Sequence, residues 1–70
     1  MMRQGKEQLL IDKMEQKGLS QKEIAQILGK SESVVSRKIN KVVKFTIKEK
    51  MILAEYFKMD TDEKLKFFYN

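Results

Sequence analysis

Residues 19–40 read LSQKEIAQILGKSESVVSRKIN. Ser20 and Glu23 stand three apart. At that spacing the serine oxygen accepts the backbone N–H at Glu23, and the glutamate reaches back to the N–H of Ser20, so two unpaired donors at a helix start are met together. The pattern predicts a helix over about 21–28, with Ile24 and Leu28 four apart on its inner face. Gly29 stops it, because glycine takes a left-handed backbone without steric penalty. Ser31 is the next candidate cap, and a further helix runs from Glu32 to about Lys41 with Val35 and Ile39 facing inward. Ala25 is small where the two helices meet, and a larger side chain would force them apart. Two helices joined by a short glycine-containing turn are the signature of a helix-turn-helix.

Working outward, similar signals recur on both sides. Gly5 to Lys17 is compatible with a helix carrying Leu10 and Met14 on one face, and Gly18 ends it. Thr46 with Glu49, and Asp60 with Glu63, repeat the capping-box spacing. They predict helices over about 47–57 and 61–68. The first of these buries Leu53, Ala54 and Phe57, with Met51 or Ile47. Phe45 lies in the loop before it and plugs the core. The chain has no proline and only three glycines, which suits a mostly helical protein. The expected fold is all-α: one domain over residues 1–70, a small five-helix bundle held by tertiary packing because its helices are too short to stand alone. Phe67, Phe68 and Tyr69 either fold onto the core or pair with a second subunit.

Seventy residues with no cysteine exclude disulfides and thiolate metal sites, and the absence of histidine removes the commonest general base and zinc ligand. No catalytic residue, metal site or cofactor is expected. Apolar runs such as Leu9–Ile11 and Met51–Leu53 are too short for a membrane span or signal-peptide core, so the expected location is cytoplasmic, with the nucleoid. The net charge is +5. Between Lys30 and Lys50, Lys30, Arg37, Lys38, Lys41, Lys44, Lys48 and Lys50 face only Glu32 and Glu49, so this stretch holds the whole excess. A localised basic surface suits a polyanion.

The stretches SVVSRKIN (33–40) and KFTIKEKMILAEYFKMD (44–60) resemble the Cro-like and Xre-like phage repressors, the lambda-repressor-like helix-turn-helix family. The likeness covers about residues 19–60. It implies a five-helix bundle and sequence-specific double-stranded DNA binding by a small transcriptional regulator, a Cro-like repressor of phage type. Lys41 stands where that family often has glycine, so helix three is expected to end differently or run on.

Docking such a motif puts helix three in the major groove, with helix two across the backbone. The outward residues Glu32, Ser33, Ser36 and Arg37 are then the candidate base readers. Arg37 leads, since a guanidinium pairs with both acceptors of guanine. Gln21, Lys30, Ser31, Lys38, Asn40, Lys41 and Lys44 are the candidate phosphate contacts, which set register without reading sequence. Lys48 and Lys50 read as solvated charges. One recognition helix covers few base pairs, so a homodimer is expected, formed beforehand or on the DNA, with Tyr56, Phe67, Phe68 and Tyr69 as the candidate interface. Two other functions compete: a helical protein-binding adaptor on the same fold, and an antitoxin-type regulator. The polar exterior of helix three and the short stretch after Asp60 weigh against them.

Overall fold

A computed structural model describes residues 7–69 of the chain. These form five helices: α1 (Gln8–Lys17), α2 (Gln21–Leu28), α3 (Glu32–Ile39), α4 (Ile47–Tyr56) and α5 (Thr61–Phe68). The predicted start of the first helix at Gly5 lies outside the described residues. The three capping boxes form as the spacing requires. The Ser20 amide donates to Glu23 at 2.7 Å, the Thr46 amide to Glu49 at 2.9 Å and the Asp60 amide to Glu63 at 3.1 Å. α3 instead has a single cap, the Val34 amide donating to Ser31 Oγ at 3.3 Å.

The four helices α1 to α4 end alike. After each, one residue takes a left-handed backbone: Gly18 (φ 66°), Gly29 (φ 68°), Lys41 (φ 62°) and Lys58 (φ 53°). The amide of the following residue then reaches back across the last turn. Leu19 donates to Met14, Lys30 to Ala25, Val42 to Arg37 and Met59 to Ala54, all within 2.8–2.9 Å. This pairing satisfies carbonyls that a helix end leaves open. α3 therefore does not run on to Lys41. It stops at Ile39, and Lys41 adopts the conformation for which glycine is the usual choice.

The core comprises Leu10, Met14, Ile24, Ala25, Leu28, Val35, Ile39, Phe45, Leu53, Ala54, Phe57, Met59 and Phe67. Phe45 plugs it as expected, its ring 6.4 Å from that of Phe67. The last aromatics divide. Phe67 is wholly buried, so it is core and not an interface residue, whereas Phe68 is half-buried and Tyr69 lies 84% exposed. On α4 the inward stripe is Lys50, Leu53, Ala54 and Phe57, flanked by buried Glu49. The expected contributors Ile47 and Met51 point outward, about 60% exposed. Apolar residues surround this helix on all sides, so periodicity alone could not pick its buried face. α1 is tied to α5 by Lys13 Nζ, 2.7 Å from Glu63 Oε2.

Candidate nucleic-acid interface

α2 and α3 pack directly on each other, and α2 also packs on α4. Val35 and Ile39 anchor the inner side of α3 in the core. Its outer side is left with Glu32, Ser33 and Arg37 exposed and Ser36 half-buried. The four candidate base readers thus share the solvent-facing side of one short helix. Lys30 and Ser31 before it, and Lys44 after it, are exposed, and Lys41 is half-buried. Basic side chains therefore stand at both ends of the helix, as a groove flanked by two phosphate strands requires.

Two candidate phosphate residues from different helices line one depression. Gln21, at the first position of α2, and Asn40, the cap of α3, line one shallow depression floored by Met14, Leu19 and Ile39. The Asn40 side chain donates through Nδ2 to the Ser36 carbonyl at 2.9 Å, which holds it against the helix end. Every carbonyl of the last turn of α3 has a partner. Ser36 accepts from Asn40, Arg37 from Val42, Lys38 from Lys41, and Ile39 from the amide of Glu7 at 2.8 Å. The helix end facing the depression is thus fixed on all sides.

Lys38 departs from the expectation of a phosphate contact. Its side chain turns inward, 10% exposed, with Nζ 2.6 Å from both carboxylate oxygens of Glu49. It also lies 5.9 Å from the centre of the Phe45 ring. Burial pushes the Glu49 carboxyl up, but the Lys38 hydrogen bonds and charge and the Thr46 amide outweigh that and hold it below the usual glutamate range. Lys50 is also buried, its ammonium 5.6 Å from the Phe67 ring centre, and not a solvated charge. A clue to Lys38 lay in the spacing, because it sits three residues after Val35 and so flanks the inward face of α3. The charge run from 30 to 50 accordingly does not all face outward. Its exposed cations are Lys30, Arg37, Lys44 and Lys48.

Among the described residues no group of His, Cys, Asp and Glu is gathered that could hold a metal, and no helix is long and apolar enough to cross a membrane. No curated protein and no solved structure matches the chain. A family model described as helix-turn-helix matches residues 10–64, from the first turn of α1 into α5. The described residues hold five helices with the α2–α3 unit among them, and the chain belongs to the Xre- and lambda-repressor-like helix-turn-helix family of DNA-binding regulators.

Proposed function

We propose that this protein is a sequence-specific regulator, a Cro-like repressor, that lays α3 in the major groove with α2 across the phosphate backbone. Arg37 reads a guanine, and Glu32, Ser33 and Ser36 make the other base contacts. Gln21 and Asn40 share one phosphate through their common depression. Lys30, Ser31, Lys41 and Lys44 hold others, and Lys38 is left out of the set. The observation that carries the reading is the split of α3: Val35, Lys38 and Ile39 buried, against Glu32, Ser33 and Arg37 exposed between basic flanks. A docking face for protein would carry aromatic or aliphatic anchors there.

A second copy completes the operator-reading unit. The face between α4 and α5 supports this, since Ile47, Met51, Leu65 and Tyr69 are each at least half exposed and border the half-buried Phe68. Two copies joined there present two recognition helices to half-sites one helical turn apart. A bound dimer represses by occupancy where its site overlaps a promoter.

Titration into random-sequence duplex at two salt concentrations, followed by selection of a preferred duplex from a random pool, tests the reading. Salt-sensitive binding and an enriched two-fold-related sequence are expected. Absence of binding at low salt overturns the groove docking and turns the basic surface into an ordinary solvated face.

A further inference from the structure

We propose that Lys38 and Glu49 are positioning residues that set the angle of α3 against the rest of the bundle, and through it the discrimination between operator and random DNA; this rests on the DNA-binding reading above. α3 is eight residues long and has its main packing partner in α2. Backbone hydrogen bonds hold its last turn, including one from the Glu7 amide, but a small roll about the α2 contact still carries Arg37 and Ser33 off their base edges while leaving basic side chains near phosphates. A side-chain tie to α4 opposes that roll. The ion pair supplies it, running from the last turn of α3 to the first turn of α4 with both carboxylate oxygens engaged.

Glu49 is itself fixed. Its Oε1 accepts the Thr46 amide while its own amide donates to Thr46 Oγ1 at 3.1 Å, so the carboxylate belongs to the start of α4 before Lys38 reaches it. On the other side Lys38 neighbours Arg37, the leading base reader, in sequence. The pair also differs from an ordinary surface bridge by its burial, 10% and 6% exposed side chains. Buried pairs of this kind are weak contributors to stability against apolar replacements of similar volume, and their best-attested use is to select one arrangement among several. Neither partner is presented to the DNA, so the effect on recognition is indirect.

The test uses the full chain with Lys38→Met and Glu49→Gln together. Methionine keeps the stem volume, glutamine keeps the capping box, and the net charge is unchanged, so phosphate attraction is preserved. Affinity is measured for random duplex and for the duplex selected with the parent, across a salt series. We expect random-duplex affinity and salt slope to match the parent, while affinity for the selected duplex falls about tenfold, the scale of one lost base pairing. Lys38→Arg, which keeps the ion pair, should retain the preference. If the double variant folds and still binds the selected duplex as the parent does, the proposal is overturned and the pair is only packing. Should the double variant not fold, Glu49→Asp takes its place. It keeps both charges but shortens the reach by one methylene, and unchanged preference there overturns the proposal equally. Failure of the parent to bind random duplex overturns the DNA reading itself, which is a separate result.

Discussion

Lys41 holds the same left-handed backbone as Gly29, φ 62° against 68°, and the two residues close the two helices of the motif in the same way. Glycine pays no steric penalty there. A residue with a Cβ does, at about 1–2 kcal/mol, partly offset because glycine loses more freedom on folding. Lys58 is in the same position after α4. Lys58→Gly should therefore raise stability by about 0.5–1 kcal/mol, or about 2–8 °C in Tm for a domain of this size, measured by thermal unfolding. Lys41→Gly should weaken DNA binding by removing a candidate phosphate contact. Gly29→Ala should destabilise by about 0.5–1 kcal/mol, a backbone effect because no atom outside the local chain lies within 4 Å of the added Cβ.

The buried ion pair predicts an asymmetry between single and double substitutions. Glu49→Leu leaves the Lys38 ammonium uncompensated in the core and removes the glutamate half of the α4 capping box, and should cost about 3–5 kcal/mol in urea unfolding. Lys38→Met with Glu49→Gln should cost much less than the two single changes added together. Additive losses would mean that the two side chains do not act as a pair.

The recognition surface predicts two kinds of binding loss. Arg37→Ala should cost about 1–3 kcal/mol on the selected duplex and relax preference at one base position. Lys44→Ala should weaken all sequences alike and lower the salt slope by about one. Fluorescence anisotropy over a salt series separates the two.

The closing aromatics predict opposite phenotypes. Phe67→Ala should destabilise the monomer by about 3–5 kcal/mol, because a wholly buried ring leaves a cavity. Tyr69→Ala should leave unfolding within about 0.5 kcal/mol of the parent, as exposed substitutions do. Leu65→Glu and Tyr69→Ala should lower self-association in sedimentation if the α4–α5 face holds the second copy.

Acid should unfold the protein through carboxylates. At Glu63 hydrogen bonds from Lys13 and the Asp60 amide, and at Glu49 those from Lys38 and the Thr46 amide acting against burial, hold both groups below the usual range. A folded-state pKa below the unfolded one gives stability that is present above the unfolded value, about 4.3, and is lost as pH falls through the folded value. Urea midpoints should drop below that pH, and Glu63→Gln should make the drop shallower.

Much of the fold was legible because its signals are local. Ser20 with Glu23, Thr46 with Glu49 and Asp60 with Glu63 each start a helix through hydrogen bonds spanning three residues, and Gly18 and Gly29 end helices through their own backbone freedom. Chemistry of this range is written in adjacent residues, so five helices, their order, the helix-turn-helix and the outward set Glu32, Ser33 and Arg37 follow from local signals alone. What those signals leave open depends on which groups meet across the bundle. Lys38 turned inward because a carboxylate eleven residues on was waiting at the start of α4. Phe67 was drawn into the core against Phe45, while Ile47 and Met51 stayed outside on a helix apolar on every side. Burial of a charge or an aromatic is decided by its partner and by the space left for it, and only the tertiary structure supplies both.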